Sequence, residues 1–226
     1  MNDFQIDIVV RNYHELLIGA YITLQITAVS FILALLLGTI VGIARSRQGF
    51  LKRLFTPYVE IFRGTPLLVQ LFFIYYALPS VGISLENFVT AYIGLGLCGG
   101  AYISEIIRGA LYSVERGQEE AALSLGFSKI QAMIYIIFPQ AIRVALPPLM
   151  NSFSAQLKDT SLVSVLAINE LTRSGQMVYS RTFRPFEIYL VVAALYFIMT
   201  YSVSRLSRRL EVVFHVGGRI AGEHMR

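Results

Sequence analysis

Tryptophan is absent and cysteine occurs once, at Cys98, so no disulfide can form within one chain. The histidines, His14, His215 and His224, are scattered without metal-ligand spacing, so no metal site is expected. No G-x-x-x-x-G-K-S/T occurs, which excludes the usual cradle for ATP phosphates. Low-complexity segments, clear repeats and visible domain boundaries are missing too. Charge is also scarce, at 15% of residues against about 25% in a soluble domain. The net charge of +5 would suit nucleic acid. The basic residues, however, gather at the ends of apolar runs, so a membrane is the expected partner and nucleic acid is not.

Hydrophobic residues make up 55% of the 226 positions, with a mean hydropathy of +0.62. Asp, Glu, Lys and Arg are absent from Leu16 to Ala44, Gly64 to Leu85, Asn87 to Ser104 and Ile188 to Ser204. Uncharged apolar runs of about 18 residues or more read as transmembrane helices, and the last run is only slightly shorter. A further apolar region between Arg143 and Glu170 is interrupted by Lys158 and Asp159. Counting it gives an all-α, multi-pass protein of one transmembrane domain, residues 1–226, with spans near 16–44, 58–79, 87–110, 144–168 and 187–206. The N-terminal MNDFQID is acidic and the first run is too long for a signal-peptide core, so that helix is expected to be retained.

Basic residues mark the cytoplasmic side. Arg45, Arg47, Lys52 and Arg53 follow the first span, Arg108, Arg116, Lys129 and Arg143 the third, and Arg205, Arg208, Arg209, Arg219 and Arg226 the last. The other side carries Arg11, Arg173, Arg181 and Arg184. This bias predicts the N-terminus outside and the C-terminus inside. Gly38 with Gly42, and Gly96 with Gly100, are small residues four apart that let helix backbones approach closely.

The longest interior connection, residues 112–140, is too patterned to be disordered. Glu119 and Glu120 suit a helix N-terminus. Ala121, Ala122 and Leu125 then form a small apolar face, Gly126 ends the helix, and a second apolar helix runs from about Ser128 to Pro139. A short helix of this kind fits a groove on a partner protein. Lying on the lipid surface is the alternative, although such helices usually carry larger apolar residues and more Lys or Arg.

Glu120, Ala121, Ala122, Gly126, Ile136, Phe138 and Pro139 resemble the E-A-A…G…I-x-L-P signature of permease subunits in ATP-binding-cassette (ABC) importers. Phe138 replaces the usual Leu. EIFRGTPLLVQLFF (Glu60 to Phe73), AYISEIIRGAL (Ala101 to Leu111) and LKDTSLVSVLAINEL (Leu157 to Leu171) are similar to the subgroup that imports polar amino acids. The resemblance spans roughly residues 15–210. It implies the five-helix core of a type I (MetI-like) permease, with the EAA loop as a coupling helix. Two permease subunits, identical or related, would pair with two copies of an ATPase that holds ATP and Mg, and a binding protein outside would deliver substrate. This chain itself would bind no cofactor and catalyse no reaction. It would sit in the bacterial cytoplasmic (inner) membrane.

Ionisable residues inside a membrane mark functional sites by default, since each costs at least about 2.5–3.5 kcal/mol there. In RGTPLLVQ, Arg63, Gly64 and Pro66 predict a kink, with Arg63 either a gate or a snorkelling helix end, and Gln70 one to two turns deeper. Glu105 and Arg108, three apart, suit an ion pair; Glu105 alternatively binds a cationic substrate, and Tyr102 and Ser104 border a cavity. At 100° per residue Asn151, Ser154, Lys158 and Ser161 share one stripe with Asp159 beside it, after a helix start restricted by Pro147 and Pro148. A polar stripe faces the bundle interior, as a substrate site or as a network between helices. For an amino acid, Asp159 would accept from the ammonium, with Gln156, Thr160, Ser161 and Ser164 as further polar contacts. Glu170 would meet a basic side chain, which tilts the expected substrate toward Arg, Lys or His; Lys158 in the same cavity would tilt it back. A membrane enzyme or a channel built on these charges is the rival reading. The enzyme lacks a nucleophile–base or metal cluster, and the channel leaves the 112–140 loop without a purpose.

Overall fold

A computed structural model describes residues 5–46 and 49–213. Arg47, Arg219, Arg226, His215 and His224, counted above, lie outside the described residues. Among those described, the chain is helical with no strand. Helix α1 is Ile6–Ser46, α2 Phe50–Gly64, α3 Leu67–Phe72, α4 Asn87–Tyr112 and α5 Arg116–Ser124. Helix α6 is Lys129–Ala132, α7 Phe138–Asp159, α8 Leu171–Thr182 and α9 Pro185–Val213. Among the described residues four helices are long and apolar enough to cross a membrane: Ile6–Ser46, Asn87–Tyr112, Lys129–Leu166 and Pro185–Val212. A fifth crossing results if the bent pair Phe50–Gly64 and Leu67–Val81 counts as one span.

The 41-residue α1 is apolar on all sides, so residue size rather than polarity selects its inward face. Ala20, Thr23, Thr27, Ser30, Ala34, Gly38 and Gly42 recur every three or four residues and are buried, with Gly19 beside the first of them. A Cβ on Gly38 would lie 2.6 Å from Ile103, and one on Gly42 would lie 2.8 Å from the Ser104 carbonyl oxygen. Glycine is therefore what allows α1 and α4 to touch along their length. The hydroxyls of Thr23, Thr27 and Ser30 donate to carbonyls one turn earlier, at 3.0, 2.8 and 2.7 Å, which satisfies them in an apolar interior.

Helices α2 and α3 meet at 108°. Pro66, which has no backbone N–H, caps α3 with extended φ and ψ, and the break frees carbonyls at the end of α2. The Gln70 side-chain nitrogen lies 2.9 Å from the Phe62 carbonyl oxygen and 3.0 Å from that of Thr65, so it pins both sides of the bend.

Three prolines act differently from expectation. Pro139 does not end the second loop helix: a π-helical turn, Met133–Ile137, carries α6 into α7, and Pro139 sits in the first turn of α7. Pro147 and Pro148 lie inside α7 rather than at its start. Packing from α1 and α4 holds that segment, through a core of Ala34, Ile103, Ile107, Ala141, Ala145 and Leu149. At the opposite end of the bundle, Leu16, Leu171, Val178, Ile188 and Val192 join α1, α8 and α9.

Candidate functional site

The bend between α2 and α3, together with α4 and α7, encloses a cavity of about 700 Å³. That volume is in the range of small-ligand pockets. The α4 wall presents Leu95, Cys98, Gly99, Tyr102, Glu105 and Ile106, and the α7 wall Pro148, Asn151, Ser152, Ala155, Gln156 and Asp159. Both walls follow the three-and-four spacing of a helix face. Residues 63–67 of the bend form the third wall.

Of the residues expected at a substrate site, Tyr102, Asn151, Gln156 and Asp159 line this cavity. Gln156 is buried; its side-chain nitrogen donates to Ser30 Oγ at 2.7 Å, and its oxygen has no partner. Gln70 faces the other side of the bend, where an apolar cavity of about 520 Å³ lies against Phe62, Val69 and Leu97. Ser154, Lys158, Thr160, Ser161 and Ser164 are outside the polar cavity's lining. The α-helix ends at Asp159 and tightens into a 3-10 segment, Thr160–Leu166, so the 100° register does not carry on to Ser161. Thr160 is buried and its hydroxyl donates to the Leu157 carbonyl at 2.7 Å. Ser104 is likewise buried and donates to Ala101.

Glu170 is fully buried outside the cavity. Its carboxylate caps α8, accepting from the backbone N–H groups of Thr172 and Arg173 at 2.9 and 2.8 Å and from the Tyr196 hydroxyl at 3.0 Å. Burial pushes its pKa up, opposed by those hydrogen bonds. The Glu105–Arg108 pair forms, with Arg108 Nη2 2.5 Å from Oε2, and a third helix joins it: Arg45 of α1 bonds Oε1. Arg63 stands 3.8 Å from Oε2, over the Tyr102 ring at 5.4 Å. Cys98, Gly99, Ser152 and Thr65 are lining residues that reasoning from charge overlooked. Stepping three and four residues back from Tyr102 reaches Gly99 and Cys98, a signal that was present but chemically mute.

Helix α5 lies within the 112–140 segment, followed by α6 and the π turn. Glu120 and Ala121 are exposed, Ala122 is buried, and Leu125 is 80% exposed. Gly126, at φ 86°, ends it: the Phe127 N–H donates to Ala122 at 3.1 Å and the Gly126 N–H to Leu123 at 3.0 Å. Ser128 and Gln131 then form a capping box that starts α6.

Apolar helices folded around a polar cavity with a charged rim define a membrane-embedded transport component. Residues 34–212 match the family described as "Binding-protein-dependent transport system inner membrane component", and the chain belongs to that family. It is 40% identical over 196 residues to the glutamine transport system permease protein GlnP of Escherichia coli (strain K12), covering 85% of this chain and 90% of that one. It is 39% identical over 208 residues to the L-cystine transport system permease protein TcyB of Bacillus subtilis (strain 168), covering 91% and 89%. Among solved structures, "Crystal structure of an amino acid ABC transporter with histidines" matches with a TM-score of 0.86 at 37% identity, over 93% of this chain and 98% of that one. The MetNI methionine ABC transporter, with a TM-score of 0.68 at 19% identity over 95% and 99%, shares the fold. The chain is thus a multi-pass inner-membrane permease of the polar amino-acid ABC importers, a transport component rather than an enzyme. Membership implies that an ATPase and a binding protein act with it.

Proposed function

We propose that this permease passes a basic amino acid, Arg, Lys or His, through the cavity between the bend, α4 and α7, from an external binding protein to the cytoplasm. The observation that carries the reading is the grouping of Tyr102, Asn151, Gln156 and Asp159, from two helices, around one cavity of about 700 Å³. Asp159 accepts from the substrate ammonium, and the Tyr102, Asn151 and Gln156 side chains supply polar contacts. The preference for a basic side chain is supported by the solved relative described with histidines, whereas the glutamine and cystine names belong to other relatives.

In this reading the N-terminus is outside and α5 lies in the cytoplasm as the coupling helix. Glu119, Glu120, Ala121 and Leu125 meet the ATPase there, while buried Ala122 backs the helix, Gly126 ends it and Pro139 leads the chain on into α7. The exposure of Leu125 supports this docking face. Two ATPase copies hold ATP and Mg, two permease subunits pair, and no cofactor binds this chain. ATP binding moves α5 and rocks the helices between inward-open and outward-open states.

The test is ATP hydrolysis by the reconstituted complex with its binding protein, against a panel of amino acids. Arg, Lys or His should stimulate most. Replacing Asp159 with Asn should raise the half-saturating substrate concentration about tenfold or abolish uptake, since a hydrogen bond to a charged group contributes about 1.5–3 kcal/mol. Unchanged transport would remove Asp159 from the site.

A further inference from the structure

Three guanidinium groups converge on the single Glu105 carboxylate. Both of its oxygens are already engaged: Arg45 bonds Oε1, and Arg108 reaches Oε2 through Nε at 3.2 Å and Nη2 at 2.5 Å. Arg63 is left at 3.8 Å, beyond hydrogen-bond reach. Its side chain is 43% exposed, against 10% for Arg45 and 34% for Arg108. One carboxylate cannot neutralise three cations, and the least engaged of them faces the cavity. Among the described residues, Arg63 is the one Lys or Arg in its lining.

The placement of Arg63 matches an anionic ligand. Its guanidinium lies 5.4 Å from the Tyr102 ring centroid, which steadies the plane of the fork while leaving N–H groups to donate. It sits at the end of α2, directly before the 108° bend, so it belongs to the one wall whose backbone is broken. Asp159 lines the same cavity from α7. Glu105, the other carboxylate of the lining, is already held by Arg45 and Arg108. The Asp159 carboxylate on one wall and a guanidinium without a close hydrogen bond on another therefore complement a zwitterion, and guanidinium is the side chain best shaped for bidentate carboxylate binding.

We propose that Arg63 binds the substrate α-carboxylate at the cytoplasmic mouth of the cavity, in competition with Glu105. This rests on the amino-acid reading of the cavity given above. The Arg45–Glu105–Arg108 group holds α1 to α4 without Arg63, so Arg63 is a specificity residue and the other two arginines are structural.

The test omits the binding protein, whose own selectivity would mask the effect. The permease–ATPase complex in nanodiscs is loaded with radiolabelled L-arginine, L-histidine or L-glutamine, each displaced by the unlabelled amino acid or its α-carboxamide. Mildly acidic buffer keeps the amine of the amide charged. The intact complex should be displaced by the free acid at about tenfold lower concentration than by the amide, the loss expected for a charge-assisted pair. Arg63→Gln should bring that ratio close to one. Arg63→Lys, which keeps the charge but loses the fork, should leave about threefold, and it serves alone if Arg63→Gln does not assemble. A full wild-type ratio in both variants overturns the assignment while leaving the cavity reading intact. No saturable binding of any of the three amino acids overturns both.

Discussion

Gly126 shows how much one residue decides in this chain. Its φ of 86° closes the end of α5, and nothing lies within 4 Å of where its Cβ would be, so conformation alone demands glycine there. Gly126→Ala should cost α5 about 1–2 kcal/mol, the penalty for a left-handed L-residue. Hydrogen exchange across residues 116–128 would show this as faster opening of that helix, with the transmembrane segments unaffected. Glu170 shows the limit of reading single residues. A carboxylate at the end of an apolar segment is visible in the sequence, but its use as a cap is not. That use depends on a chain reversal through Ala167, at φ 58°, which no turn residue announces. Asn151 and Asp159 were legible as polar residues inside an apolar run, but Ser154, Lys158 and Ser161, expected on the same stripe, fall outside the cavity lining. Gln156 and Tyr102 were legible from their polarity rather than from that stripe. Cys98 and Gly99 share their cavity without any polarity to declare it.

At the level of helices, the contact between α1 and α4 rests on small residues, and this was readable from Gly38, Gly42, Gly96 and Gly100. A Cβ on Gly96 would lie 2.5 Å from Leu33, and one on Gly100 would lie 3.2 Å from the Leu37 Cβ. Gly38→Ala should therefore lower the stability of the purified protein by about 1–3 kcal/mol, the usual cost of overpacking. Gly109, on the same α4, has open space around it. Gly109→Ala should be neutral or stabilise by about 0.5–1 kcal/mol, through helix propensity alone. Thermal unfolding in detergent compares the two. The bend at Pro66 was also legible, but the continuity of α7 through Pro147 and Pro148 was not. Proline breaks a helix in water, whereas in a bundle neighbouring helices and a local π turn re-satisfy the freed groups. The π segment Met133–Ile137 makes that adjustment for Pro139, while packing from α1 and α4 holds the stretch around Pro147 and Pro148.

For the molecule as a whole, apolar run length made the all-helical membrane architecture readable before any coordinate. The sharpness of that bend was the least visible part, because Pro66 announces a kink while charge-free length does not distinguish a slightly kinked span from one folded at 108°. The proposed topology is checked by reporter fusions. Alkaline phosphatase joined after Val81 should be active, and the same enzyme joined at the C-terminus should not be. Activity in the reverse pattern would invert the whole arrangement, including the side on which α5 meets an ATPase. Helix α1 adds a consequence at this scale. At 1.5 Å per residue its 41 residues extend about 60 Å, and its uncharged stretch from Leu16 to Ala44 alone runs about 44 Å. A bilayer offers about 30 Å of hydrocarbon. The helix must lean, or thicken the lipid beside it, and α4 is fixed to it through buried glycines. Acyl-chain length in the surrounding membrane then acts, alongside this packing, on the tilt of the helix pair that carries one wall of the cavity.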